Sequence, residues 1–339
     1  MKNSFSSNDD VVPFLIDIFK QFRHHTRESQ NASEALSILF NLLASLEDDV
    51  IDTDKWGLNT VHRPINFDMH LDRLKNGTGR SKPILDLILR HSSGILFQEA
   101  QKEAIFFKSQ LNLFGDFDND YITKKNLYTS VHYTPPFLSR SIVENVLNKL
   151  DLKNRTELKI IDPACGSGEF LIEVLKQLKE LNYVGKVYIT GWDSSESAIY
   201  TSNFLLQYEK RTIWNDNLVF TLNHVSDSLL EVWSNDYDLI LMNPPFISWE
   251  QMNQSAREAT NSVFEIANLG KLTRPNLASA FFYKAIKSLN ANGVIGCVIP
   301  SSLLTLDAYK KLRDVSREII TIDLIGKLGN LFNDTKEQL

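Results

Sequence analysis

Two short stretches hold residues whose types and spacing could do chemistry. "IIDPACGSGEFLIEVL" (160–175) runs from an apolar strand through a glycine turn into a helix pattern. "DLILMNPPF" (238–246) ends an apolar strand in an amide, two prolines and a phenylalanine. In the first stretch Gly166 and Gly168 flank Ser167, and residues without a Cβ let the backbone approach a ligand closely. A dinucleotide site would place a third glycine where Leu171 stands, and a phosphate loop would need a Gly-Lys-Ser/Thr run, which is absent. What remains is a nucleoside-bearing cofactor without a phosphate chain.

Two further carboxylates extend that reading. "KVYITGWD" ends in Asp193, where an acid after the second strand of a nucleotide-binding sheet receives ribose hydroxyls. "HVSDSLL" places Asp227 after a third strand, positioned to accept from an adenine amino group. Either aspartate alone could be a cap, and Asp193-Ser194-Ser195 has capping chemistry. The glycine turn upstream favours the ribose role for Asp193, while Asp227 stays open between cap and ligand. In "NPPF" the plain alternative is a β-turn, since Asn and Pro are common turn residues. A cofactor loop upstream favours a site there too.

The elements that must position these residues follow from the rhythm of the chain. After residue 155 short apolar strands alternate with helix patterns such as "SESAIYTSNFLLQYEK" and "NLASAFFYKAIKSLN". That alternation implies an α/β, doubly wound, Rossmann-like parallel sheet covered on both faces, with ligands at the carboxyl ends of its strands. Upstream, "VVPFLIDIFKQF", "ASEALSILFNLLASL" and "SKPILDLILRHSSG" carry apolar residues at three- and four-residue intervals, with Gly94 as the C-cap of the last. The expected domains are a helical region over 1–120 and a catalytic region over 121–339.

Composition narrows the class. The 339 residues carry 36 Lys and Arg against 42 Asp and Glu, a net charge of −6 that speaks against gripping nucleic acid along the whole surface. Two cysteines make no disulfide framework and point to a reducing cytoplasm. Seven histidines lack metal-ligand spacing, so no metal is expected. No apolar run approaches a membrane span, and "MKNSFSSNDD" lacks signal-peptide features.

"DPACGSGEF" and "NPPF", with "HYTPPFLSRSIVENVL" (132–147) upstream, resemble the motifs of S-adenosylmethionine-dependent adenine-N6 DNA methyltransferases of restriction-modification systems. Their order matches the gamma-type arrangement of type I methylation subunits and type IIG enzymes, over roughly residues 125–335. The resemblance implies S-adenosyl-L-methionine as cofactor. Asp162, Gly166 and Gly168 would line its methionine and sulfonium end, Asp193 its ribose and Asp227 its adenine. Tyr133, Thr134 and Pro135 would close the pocket, and Ala164 and Phe170 complete the expected cofactor set. Phe332 in "LGNLFND" is a second stacking candidate beside Phe246.

The chemistry of such a reaction explains the prolines. An adenine amine is a poor nucleophile because its lone pair is delocalised into the ring. Two acceptors on its hydrogens, the Asn243 side-chain oxygen and the Pro244 carbonyl, would draw the nitrogen toward tetrahedral geometry. Pro244 fixes its own φ and Pro245 restricts the residue before it, so that carbonyl is aimed covalently. Phe246 would stack on the base, an interaction worth about 1–3 kcal/mol. The base must leave the duplex to reach the site. The connection over 247–275 is long and could fold over an extruded base. Double-stranded DNA is the expected partner, with a specificity subunit or a C-terminal target-recognition region, since the chain stops at Leu339 where such a region would follow. The alternatives are methyl transfer to RNA adenine or to protein glutamine, and a non-catalytic cofactor-binding scaffold.

Overall fold

Five apolar segments pair into one wholly parallel sheet: β1 (Glu157–Asp162), β2 (Lys186–Asp193), β3 (Leu218–His224), β4 (Tyr237–Met242) and β5 (Leu289–Cys297). Their order is β3-β2-β1-β4-β5. Sequence neighbours lie side by side from β3 to β1, and the direction of winding reverses between β1 and β4. That is the doubly wound arrangement expected, with its crevice at the reversal. The coordinates are a computed structural model that describes residues 8–25, 32–76, 84–92, 134–266 and 274–328. Tyr133, Phe332 and the expected cap at Gly94 lie outside the described residues.

The helices are α1 (Asn8–His25), α2 (Ala32–Ala44), α3 (Thr53–Trp56), α4 (Phe67–Asn76) and α5 (Leu85–Leu87), which runs into a π turn at Ile88–Ser92. They continue with α6 (Pro136–Leu147), α7 (Glu169–Glu180), α8 (Glu196–Glu209), α9 (Gln254–Ile266), α10 (Leu277–Ser288), α11 (Ser302–Thr305) and α12 (Lys310–Arg317). Contacts group the chain into two compact units. One joins the N-terminal helices to Gly166–Lys176 and Ser195–Asp216; the other holds the whole sheet with the remaining segments.

In the helical unit α8 is buried nearly all round, with Tyr200, Phe204, Leu205, Leu206 and Tyr208 inside. A helix without a polar face has to be enclosed. Phe204 stacks on Phe40 of α2 at 4.5 Å and on Trp56 of α3 at 5.8 Å, and the Tyr200 hydroxyl donates to Ser37 Oγ at 3.2 Å. A partly buried ion pair joins Arg90 to Glu209 at 2.6 Å. Lys176 Nζ donates to the Arg90 carbonyl at 2.8 Å.

In the sheet unit β4 is buried at all six positions, as a central strand of a covered sheet must be. One face places Ile161, Ile240 and Met242 in a core with Phe281 and Ala285 of α10 and Ala259 and Phe264 of α9. The opposite face meets α6, where a Cβ on Gly296 of β5 would lie 2.6 Å from Ile142 and 2.9 Å from Val146. At the amino end of the sheet Asp238 accepts from the Lys159 backbone at 2.8 Å and from Asn290 at 2.6 Å, and it pairs with Arg155. Residues 247–275 are not all open loop. Gln254–Ile266 form α9, whose Ala259, Thr260 and Phe264 are buried.

Candidate active site

The parallel sheet fixes the order of the candidate residues before any side chain is considered. Asp162 ends β1, Asp193 ends β2, Asp227 lies three residues past β3 and Asn243 follows β4 directly. With strands in the order β3-β2-β1-β4, the carboxyl edge reads Asp227, Asp193, Asp162, Asn243. Three strand spacings make this row about 14 Å long.

Asp162 is 1% exposed, and its Oδ1 accepts the Ala164 N–H at 3.0 Å. Burial pushes its carboxyl well above the usual range, and the nearby charge of Asp193 adds to that, against the pull of the Ala164 N–H. The Cys165 N–H reaches the Trp192 carbonyl at 2.9 Å, and the Val225 N–H reaches the Asp193 carbonyl at the same distance. Backbone bonds therefore tie the ends of β1, β2 and β3 together. Ser195 caps α8: its Oγ accepts the Ala198 N–H at 3.3 Å. Asp227 does make the local turn expected of a loop cap: its Oδ1 accepts the Leu229 N–H at 2.9 Å. Its Oδ2 has no hydrogen bond among the described residues, and burial raises its pKa.

The glycine turn shows why its glycines are there. Gly166 has φ +52 and Gly168 φ +83, both in the left-handed region that side chains disfavour. A Cβ on Gly166 would meet nothing within 4 Å, so that side of the turn is open and backbone strain, not crowding, excludes a side chain. A Cβ on Gly168 would stand 3.0 Å from Ser202 Oγ. Ser202, fully buried on α8, donates to the Gly166 carbonyl at 2.7 Å. The Ser167 hydroxyl is buried without a partner among the described residues. Phe170 is buried at the start of α7.

The catalytic motif is anchored at both ends. The Met242 carbonyl accepts the Val298 N–H at 3.0 Å, and the Ile247 carbonyl accepts the Leu277 N–H at 2.9 Å. Asn276 caps α10 through Ala278 and donates its own N–H to the Tyr309 hydroxyl at 2.8 Å. Between these anchors the Asn243 Nδ2 donates to Thr134 Oγ1 at 3.2 Å. Thr134 is 6% exposed and sits just before α6, whose entry is set by Pro135 and Pro136. Pro244 is buried, Pro245 is half-buried and Phe246 is 7% exposed. Sequence reasoning missed this Thr134–Asn243 pair, the Ser202 bond to the glycine turn and the partners of Lys284; each joins residues far apart in the chain.

The donor set suits a nucleoside joined to an amino acid. Three carboxylates in a row could accept from an ammonium, ribose hydroxyls and an exocyclic amine, whereas they would repel a phosphate chain. The open side of Gly166 and the unpartnered Ser167 hydroxyl leave room and polarity at the glycine turn. Among the described residues no group of His, Cys, Asp and Glu could hold a metal ion, and no helix is long and apolar enough to cross a membrane.

The chain is similar to several known proteins. The chain is 24% identical over 218 residues to the type II methyltransferase M.BanIII of Aneurinibacillus aneurinilyticus, covering 61% of this chain and 36% of that protein. It is 25% identical over 309 residues to the type I restriction enzyme MjaVII methylase subunit of Methanocaldococcus jannaschii, covering 89% of this chain and 48% of that one. A solved type I restriction-modification methyltransferase subunit from Streptococcus thermophilus aligns over 91% of this chain and 79% of its own, at 15% identity and TM-score 0.46. The chain thus spans less than half the length of these two curated relatives. The family model described as N-6 DNA Methylase matches residues 117–335, and the chain belongs to that family.

Proposed function

We propose that this chain carries the cofactor-binding and catalytic region, over residues 121–339, of a restriction-modification enzyme that methylates adenine N6 in double-stranded DNA. The observation that carries the reading is the carboxyl edge of the sheet. Three carboxylates that suit a nucleoside–amino acid cofactor lead along it to Asn243, whose amide is held by Thr134 at 3.2 Å. S-Adenosylmethionine, when bound, supplies an electrophilic methyl group on a sulfonium. Asp227 would accept from its adenine, Asp193 from its ribose and Asp162, with the glycine turn, would face its methionine end. Asn243, whose Nδ2 donates to Thr134, would offer its Oδ1 to one N6 hydrogen of the target base, and the Pro244 carbonyl would take the other. Phe246 would stack on the base; at 7% exposure, its cover must shift as the base enters. Rate then comes from orientation and from acceptors fixed in advance.

The relatives named as methyltransferases and as a methylase subunit support the reaction and a multi-subunit or multi-domain setting. Sequence readout requires side chains against base edges, and the net charge of −6 gives this chain little general hold on phosphates. Recognition of the target sequence is therefore assigned to a specificity subunit or a further region, and the compartment to the cytoplasm. The test is methyl transfer from labelled cofactor to duplex DNA, RNA and protein by the full-length protein. Label on protein or RNA alone would overturn the assignment.

A further inference from the structure

The loop that carries Asp227 is held partly by itself. Asp227 Oδ1 accepts the Leu229 N–H, the Leu230 N–H reaches the Asp227 carbonyl at 3.0 Å, and the Trp233 indole donates to the Ser228 carbonyl at 2.7 Å. The remaining fixings come from the sheet and from α10. The Trp233 ring lies 5.8 Å from that of Trp192, the residue before Asp193. Lys284 of α10 sends Nζ to the Leu229 and Glu231 carbonyls, at 2.6 Å each, and stands 5.3 Å from the centre of the Trp233 ring.

An ammonium half-buried beside a tryptophan is costly to place, and a methionine would fill the same space without that cost. Two of its three donors are spent on backbone carbonyls of one loop, so its work is to fix that backbone. The same helix begins at Leu277, whose N–H holds the exit of the Asn-Pro-Pro-Phe motif. We propose that Lys284 is a positioning residue for cofactor binding: it holds residues 229–233 so that the Asp227 carboxylate is presented to the cofactor adenine. This rests on the assignment of Asp227 made above.

The arrangement has a signature that packing alone would not give. Among the described residues the charges that act on Lys284 are Asp227 and Glu231, both on the loop it holds. Burial outweighs them and lowers its pKa to about 8. Above that pH the amine is neutral; it keeps donors for the carbonyls but loses its attraction to Asp227 and to the indole face. The contribution of Lys284 to cofactor affinity should therefore be present at pH 7 and diminished at pH 9.

The experiment is titration calorimetry of S-adenosylmethionine against the full-length protein and its Lys284→Met, Lys284→Arg and Asp227→Ala variants, at pH 7 and pH 9. Ratios between variants at one pH cancel any titration of the cofactor itself. The expected result is binding about tenfold weaker in Lys284→Met at pH 7, a gap that narrows at pH 9. Lys284→Arg, charged throughout, should keep a constant ratio to Lys284→Met. Should Lys284→Met fail to fold, Lys284→Gln serves for the same ratios. Equal affinity of wild type and Lys284→Met, or a gap that does not change with pH, would overturn the role of Lys284 while Asp227→Ala still bound weakly. Unchanged affinity in Asp227→Ala would remove the adenine assignment, and the proposal with it.

Discussion

Replacing Thr134 with valine tests the most specific link in the site. The side chain keeps nearly the same shape and loses the hydroxyl oxygen that accepts from the Asn243 amide at 3.2 Å. Thr134 is 6% exposed, so water cannot readily take that place. Leaving a partly buried amide donor without this acceptor costs about 1–3 kcal/mol. If the amide turns to recover a partner, its Oδ1 leaves the target amine, and the loss falls on the transition state. At 1.36 kcal/mol per factor of ten, kcat should fall about 5- to 160-fold. An interaction made only in the transition state lowers kcat and kcat/KM together. If Thr134 instead closed the cofactor pocket, cofactor KM would rise with kcat largely kept. Steady-state methyl transfer by the full-length protein separates the two. In an Asn243→Ala background the Thr134→Val change should cost nothing more, because the pair acts as one unit. Full kcat in Thr134→Val, or losses that simply add, would refute the link.

Asn243→Ala should leave cofactor affinity intact and lower methyl transfer about 10²- to 10³-fold, as for removal of one preorganised donor or acceptor; calorimetry and turnover on the same preparation check both halves. Gly168→Ala should weaken S-adenosylmethionine binding more than Gly166→Ala. Both face left-handed backbone costing about 1–2 kcal/mol, but only the Gly168 variant also meets Ser202 Oγ, at 3.0 Å. Equal losses in calorimetry would discard the Ser202 contact. Arg90→Ala should destabilise the fold by about 3–5 kcal/mol, because it strands a buried carboxylate. Burial already raises the Glu209 pKa and Arg90 opposes that, so the variant raises it further. A raised folded-state pKa gives stability that is present at low pH and lost as pH rises through it. The deficit in urea melts should thus be smaller at pH 5 than at pH 8, and the reverse trend would contradict the pairing.

The fold was largely legible because its signals are local. Strand and helix alternation after residue 155 appears as β1 to β5 with α7, α8 and α10 between them. The row of Asp162, Asp193, Asp227 and Asn243 follows from strand ends and strand order together. What could not be read are side-chain partnerships across the chain. Thr134 and Asn243 are 109 residues apart, and Lys284 lies 55 from Leu229. Nothing in "SESAIYTSNFLLQYEK" says that Phe204 stacks on Phe40 of the N-terminal helices, because periodicity shows that a helix is buried but not by what. Gly166 adds a backbone feature that the sequence could not show: its φ of +52 lies in the left-handed region.

Mass spectrometry of nucleosides from duplex DNA incubated with the full-length protein and S-adenosylmethionine tests the central claim most directly. The expected result is N6-methyladenine with the wild type and its near-absence with Asn243→Ala at undiminished cofactor binding. Methylation at another base atom, or wild-type levels of N6-methyladenine from Asn243→Ala, would contradict it.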